Sequence, residues 1–224
     1  MTTNSSICAY CGISNSLLTR DHVVPRAFWK DGPSPPNSIT VPACERCQQY
    51  WDAETTYFRN ILVIQSDAQA HPAILRLALG PIKRRIEKSA PDLLDITRNA
   101  FRAWKQSESG LLVEPRVRID IDLKRLLRTP EKIIRGFFFV RNGIPVPSGY
   151  EVRVIPGNGF WSNAGFQNLL DTMHEWQSLG DDVFQLRATR DSSDPNVTAW
   201  LLLFYRSSAL FGYTCPVSLG ENAS

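Results

Sequence analysis

Two pairs of cysteines with Cys-x-x-Cys spacing, Cys8/Cys11 and Cys44/Cys47, are the residues of this sequence best suited to chemistry. Two thiolates at this spacing bind one tetrahedral Zn²⁺ at about 2.3 Å without straining the turn between them, and the second pair completes the shell. A closed shell of four thiolates leaves no open position for water. The spacing therefore predicts a zinc site that supports folding rather than catalysis.

The segment Asp21-His22-Val23-Val24-Pro25 lies between the two cysteine pairs and places a carboxylate beside an imidazole. Carboxylate oxygens bind hard divalent cations, and a neutral imidazole near pH 7 accepts a proton from water. In an extended strand neighbouring side chains point to opposite faces. We therefore expect the Asp21 side chain to meet a metal and the His22 side chain to approach a water from another side, without sharing one metal.

A disulfide framework is the alternative interpretation of the two cysteine pairs. Against it, the first residues lack the basic and apolar parts of a signal peptide, and a body of this size does not need crosslinks. No apolar stretch reaches the roughly 18 residues that cross a bilayer. We expect a cytoplasmic protein without a membrane segment. The fifth cysteine, Cys215, is expected to be a small buried apolar residue.

Composition and charge indicate a globular protein with a basic middle. The 224 residues are 43% hydrophobic and 21% charged, as in ordinary soluble domains. We predict an N-terminal zinc module over residues 1–66 and a separate body with its own core over 67–224. Between Pro81 and Arg141 there are 15 Lys and Arg against eight Asp and Glu, a local charge of +7, while the remaining residues sum to −4. Such a segment is typical either of a solvated helix face or of a nucleic-acid contact.

Hydrophobic periodicity and Pro and Gly positions predict an α+β fold with a mainly antiparallel sheet of three to five strands. In the N-terminal module two strands precede a helix, which is a ββα arrangement. Predicted strands cover 17–24, 38–41, 113–121, 150–155, 183–189 and one or two segments of 197–213; predicted helices cover 45–66, 72–88, 91–105, 129–141 and 166–179.

The ordered motifs resemble the zinc-containing HNH endonuclease family over about residues 8–59. The resemblance is carried by the first cysteine pair, Asp21-His22-x-x-Pro25, Asn37, and the second cysteine pair followed by Gln48. It implies a zinc-stapled ββα-metal module that hydrolyses DNA phosphodiester bonds with Mg²⁺ or Mn²⁺ as Lewis acid. By this resemblance Asp21 is a ligand of the catalytic cation, His22 the general base, Asn37 an orienting residue, and Gln48 the second ligand.

The sequence departs from the family pattern at Gln48, where the family usually has Asn or His. The extra methylene moves the amide oxygen by about 1.5 Å and adds a rotor. Asp52 and Glu54 are nearby carboxylates that would supplement the site, although acids in a first helical turn more often serve the helix dipole. His71 and His174 are expected to be surface or packing residues.

Three functional hypotheses follow from these residues. The first is a metal-dependent DNA endonuclease whose α+β body positions duplex DNA or regulates cutting. The second is a nucleic-acid-binding or protein-interaction module with a zinc-stapled but catalytically degenerate head, motivated by Gln48. The third is a purely structural zinc domain that serves a complex in which another chain performs the work.

Overall fold

The chain forms a mixed α+β fold with a mainly antiparallel sheet, as the sequence predicts. The structure is a computed structural model. It describes residues 7–14, 17–29, 35–65, 71–88, 98, 100–107, 109–157, 164–174 and 176–217.

The N-terminal part is a short hairpin followed by a long helix. Its elements are β1 (Thr19–His22), a 3₁₀ turn (Arg26–Trp29), β2 (Thr40–Ala43) and α1 (Glu45–Gln65). β1 and β2 are antiparallel, with Asp21 opposite Val41 and His22 opposite Thr40. The predicted order of two strands and a helix is confirmed, with the second strand two residues later than predicted.

The remaining elements are helices and strands in mixed order, and the last four are consecutive strands. In chain order they are α2 (Pro72–Leu77), a π-helical turn (Ala78–Ile82), α3 (Lys83–Glu87), β3 (Ala100–Gln106), β4 (Leu112–Ile119), α4 (Leu123–Asn142), β5 (Tyr150–Pro156), α5 (Ala164–Thr172), β6 (Gln177–Leu179), β7 (Phe184–Arg190), β8 (Thr198–Phe204) and β9 (Ser208–Pro216).

The main sheet has five strands in the order β5-β9-β8-β7-β6, and every neighbouring pair is antiparallel. β3 and β4 form a separate two-stranded ribbon, as do β1 and β2. In β8, Trp200, Leu202 and Phe204 are buried in the main core cluster, and Leu201 is buried in a second cluster with Phe166 and Leu170 of α5. The sheet therefore presents a packed face to the helices.

Helix α4 connects the hairpin, α1 and the sheet. It contacts α1, β5 and β9, and two glycines, Gly136 of the helix and Gly212 of β9, allow close approaches on two of its sides. A Cβ at Gly136 would lie 2.7 Å from Val23 Cγ1, directly after β1, and a Cβ at Gly212 of β9 would lie 2.2 Å from Ile134 Cδ1. One core cluster consequently includes Val23, Ile134 and residues of the sheet.

Helix α4 begins earlier than the sequence analysis predicts. Asp122 accepts a hydrogen bond from the Arg125 backbone N–H at 3.0 Å and caps the helix, so α4 starts at Leu123 rather than at Thr129. Pro130 lies inside the helix and is buried. An N-cap aspartate outweighed the proline as a start signal. At the other end Gly143 closes the helix in the left-handed conformation, with φ 73°.

Two further helix predictions were wrong in part. Ala100–Gln106 is a strand, because it pairs with Leu112–Ile119, and this pairing outweighs helical periodicity; residues 91–97 of the predicted helix lie outside the described residues. The helix predicted over 166–179 ends at Thr172, since Gln177–Leu179 pairs with β7 as β6. Cys215 is only partly buried rather than a core residue.

Within the described ranges, no helix has both the length and the apolar composition that crossing a membrane requires.

The turn before β7 gives a test of how the hairpin region docks on the sheet. Gly180 has φ +59°, and a Cβ there would lie 1.9 Å from Trp29 Nε1, whereas Gly143 has φ +73° and open space around it. Gly143→Ala is expected to cost about 1–2 kcal/mol of unfolding free energy from backbone strain. Gly180→Ala should cost a further 1–3 kcal/mol, roughly, from overpacking. Urea denaturation measures both, and equal losses would contradict the contact with Trp29.

Candidate functional site

The four cysteines of the two predicted pairs lie together at the N-terminal end of α1. The sulfur atoms of Cys8, Cys11, Cys44 and Cys47 all lie within 4.8 Å of one another. Cys11 Sγ is 3.8 Å from Cys44 Sγ. Tetrahedral zinc with bonds of about 2.3 Å places neighbouring sulfurs about 3.8 Å apart. The cluster could therefore hold a metal ion such as zinc, and none of the four is in a disulfide.

Local backbone hydrogen bonds bring the two cysteine pairs together. The first pair sits in a tight turn in which the Cys8 N–H donates to the Ile13 carbonyl at 3.0 Å, and Gly12 takes a φ of +72°. Ala9 N–H donates to the Pro42 carbonyl at 2.8 Å, which joins this turn to the end of β2. The Cys44 N–H also approaches Cys8 Sγ at 3.4 Å. The chain therefore positions the sulfurs without help from a disulfide.

The Asp21 carboxylate points into the protein and is held by two side chains. Tyr10 Oη donates to Asp21 Oδ2 at 2.6 Å, and Lys132 Nζ lies 2.7 Å from the same oxygen. The Lys132 side chain is 2% exposed and that of Asp21 is 13% exposed. Burial and the Asp21 charge raise the pKa of Tyr10, so its phenol remains a hydrogen-bond donor. Asp21 is thus the counter-ion of a buried ammonium on α4.

His22 occupies the opposite face of β1 and is half-buried. Burial, with the nearby Arg26 charge next in size, lowers the pKa of its imidazole, so the ring is neutral at pH 7. Its Nδ1 is covered and has no hydrogen-bond partner among the described side chains and backbone groups. This leaves Nε2 as the nitrogen able to exchange a proton with solvent.

The other two residues that the resemblance implies, Asn37 and Gln48, have contacts of their own. Asn37 is exposed, and its Nδ2 donates to the Ser178 carbonyl of β6 at 3.4 Å. Gln48 is half-buried in the first turn of α1, where its backbone N–H donates to the Cys44 carbonyl at 3.1 Å. Asn37 therefore contacts the body of the protein, and Gln48 is adjacent to the cysteine cluster.

Asp52 and Glu54, the two carboxylates on α1 that would supplement a metal site, have different surroundings. Glu54 is 7% exposed and accepts from Arg125 Nε at 3.1 Å, with Arg128 Nη1 at 3.4 Å from its other oxygen. Asp52 is exposed on the same helix. Glu54 thus serves as the anion that fixes α4 to α1. His71 is buried as the N-cap of α2, which agrees with a packing role.

The residues that the sequence analysis missed are Tyr10 and Lys132. Lys132 stands on the buried stripe of α4 together with Thr129, Ile133 and Gly136. A cation on an apolar helix stripe predicts a buried acid partner, because an unpaired charge is too costly to bury. This signal was readable in the sequence, although it does not say which acid is the partner.

Comparison of the chain with known protein families, with curated proteins and with solved structures found no match.

Zinc content is the direct test of the cysteine cluster. Protein purified without chelator should contain one equivalent of zinc, and Cys44→Ser should lose the metal and unfold, because metal binding and folding are coupled in such sites. Cys215→Ser is the matched control and should keep its zinc. Mass-spectrometric metal analysis that finds less than about half an equivalent in the wild type would contradict the assignment.

The buried ion pair gives a second test. Asp21→Ala is expected to lower the unfolding free energy by about 3–5 kcal/mol, because it leaves the Lys132 ammonium buried without its acid. Asp21→Asn combined with Lys132→Met removes both charges and should cost far less than the sum of the losses of the single variants Asp21→Asn and Lys132→Met. Additive losses in urea denaturation would argue against the pair. The exposed Lys83–Glu87 pair is the control, and Lys83→Met should cost less than about 0.5 kcal/mol.

Proposed function

We propose that this protein is a metal-dependent endonuclease of the HNH type that hydrolyses phosphodiester bonds of DNA. One observation carries the proposal: the four-cysteine cluster closes both ends of a segment that presents His22 on a strand, followed by a second strand and a helix. This is the order of elements that the family resemblance implies. The exposed edge of the His22 ring is where a scissile phosphate would approach.

His22 has the properties that a general base needs. Its pKa is lowered by burial, so the neutral form that accepts a proton is present at pH 7. The imidazole takes a proton from the attacking water at Nε2 and later returns it to solvent. Because the Asp21 side chain points to the other face of β1, the base does not compete with that carboxylate for the same ligand.

A divalent cation such as Mg²⁺ or Mn²⁺, when bound, would stabilise negative charge on the leaving oxygen. Asp21 and Gln48 would hold it, since carboxylate and amide oxygens are ligands that Mg²⁺ accepts. The donors fit such a cation only in part. Tyr10 and Lys132 both contact Oδ2 of Asp21, and only Oδ1 remains for a metal.

Duplex DNA is the substrate that the charge distribution favours. The segment from Pro81 to Arg141 carries a net +7 within a protein of net +3. Positive charge concentrated in one part of the chain attracts a phosphate backbone through the release of counterions.

A second candidate function is favoured by the Lys132 contact. A catalytically degenerate head, kept as a zinc-stapled DNA-binding or protein-interaction module, needs Asp21 only as a structural counter-ion. The 2.7 Å contact between Lys132 Nζ and Asp21 Oδ2 supplies that role directly. Gln48 in place of Asn or His agrees with it.

Plasmid cleavage separates the two candidates. Purified protein with Mg²⁺ or Mn²⁺ should nick or linearise supercoiled plasmid, and His22→Ala should reduce the rate by about 10² to 10⁴ because a general base is missing. Zinc content and DNA affinity should stay unchanged, since His22 is not one of the four cysteine ligands of the zinc and is not a cation. His174→Ala, at an exposed histidine, is the control and should cut like wild type.

Near wild-type cutting by His22→Ala would place the base elsewhere and refute the assignment. A wild-type protein that binds plasmid and one equivalent of zinc but does not cut at any cation concentration would support the degenerate head instead.

A further inference from the structure

The β3–β4 ribbon stands apart from the main sheet. Among the described strands, neither of its members pairs with a third. Where the two strands connect, Ser107 N–H donates to the Leu111 carbonyl at 2.8 Å, Leu111 N–H donates to Ser107 Oγ at 3.1 Å, and Gly110 adopts φ +83°. A seven-residue strand spans about 23 Å. Because an isolated two-stranded ribbon is marginally stable in water, a partner surface would stabilise it.

The ribbon packs against the protein at one end and exposes several large apolar side chains. Ile119 packs against the main core. Phe101 is 49% exposed, Trp104 54% and Leu112 58%, while Leu111 at the turn is 67% exposed. Several exposed apolar side chains of this size on one short ribbon are typical of an interaction surface.

Arginines accompany the aromatic residues on both faces of the ribbon. Arg102 and Trp104 are two residues apart on one strand and therefore share a face. Phe101 lies on the other face, directly opposite Arg118 in the strand register. Both arginines are exposed. Each face thus offers one guanidinium beside one aromatic ring.

We propose that the β3–β4 ribbon enters the major groove of duplex DNA; the choice of DNA rests on the proposed function. The major groove is about 12 Å wide, admits a two-stranded ribbon, and is bordered by a phosphate backbone on each side. A protein partner or a second copy docked on one face would cover only one of the two arginine–aromatic sets.

Charge complementarity supports the same occupant. From Ala100 to Ile119 the sequence has four Lys and Arg against two Glu, within the segment of net +7. The guanidinium groups of Arg102 and Arg118 are suited to phosphate oxygens or guanine edges, and exposed aromatic rings contact bases or sugars.

Fluorescence anisotropy with a labelled duplex of about 30 base pairs, without added divalent cation, tests the ribbon independently of cutting. Arg102→Ala with Arg118→Ala should weaken binding at least about tenfold and reduce the slope of log affinity against log salt by about two. Arg76→Ala with Arg190→Ala removes two exposed arginines outside the ribbon and is the control. Trp104→Ala should weaken binding about fivefold or more, and Trp176→Ala should not.

The outcomes separate this inference from the proposed function. Ribbon-dependent binding without plasmid cleavage would leave the ribbon assignment standing and refute the nuclease. Cleavage and binding unaffected by the ribbon changes would refute the ribbon assignment and leave the nuclease standing. A wild type with no affinity for the duplex would refute the ribbon assignment. Ribbon variants that turn a dimer into a monomer in sedimentation velocity, with unchanged DNA affinity, would show a self-association surface instead. Unchanged zinc content and melting temperature confirm that each variant is folded.

Discussion

The buried ion pair between Asp21 and Lys132 is the constraint on which the arrangement of this protein depends. Lys132 cannot stay charged inside the protein without an acid, and the acid comes from the hairpin rather than from its own helix. One turn further along α4, Gly136 lets Val23 approach closely. These two contacts fix β1 to α4. Since α4 also contacts α1, β5 and β9, the position of β1 is set by the rest of the protein as well as by the cysteine cluster.

Asp21 and His22 therefore have different surroundings although they are adjacent in sequence. The alternation of a strand turns one side chain toward the interior, where Tyr10 and Lys132 hold it, and the other toward a partly open face. The cysteine cluster fixes the chain on both sides of this strand. A neutral imidazole supported by a rigid strand is well placed for chemistry, because little conformational freedom is lost when a substrate binds.

Local patterns were enough to predict the cysteine cluster, both hairpin strands and α1. They also predicted β5, β7, β8 and β9 of the main sheet. Spacing within a few residues determines a metal-binding turn, and alternation determines a strand. The partner of Asp21 was not predictable from spacing, because Lys132 is 111 residues away in the chain and is brought close only by the packing of α4. The strand at Ala100–Gln106 was missed for a different reason, because its own periodicity favours a helix and only its pairing with Leu112–Ile119 makes it a strand. The start of α4 could have been predicted from the sequence, because Asp122 is a typical N-cap residue. Pro130, a residue often found in the first turn of a helix, favoured the wrong start.

The same carboxylate has to satisfy two demands if the protein cuts DNA. The fold uses Oδ2 of Asp21 to neutralise Lys132, and a catalytic cation would have to bind through Oδ1. Two like unit charges about 4 Å apart repel by about 4 kcal/mol at an effective dielectric constant of 20, and a divalent cation roughly doubles this. A cation at Asp21 would therefore be held less tightly than at a carboxylate without a neighbouring ammonium, and DNA phosphates would offset this loss by bringing further negative charge. In an active enzyme, the bound phosphates would supply the negative charge that Lys132 has already taken from Asp21.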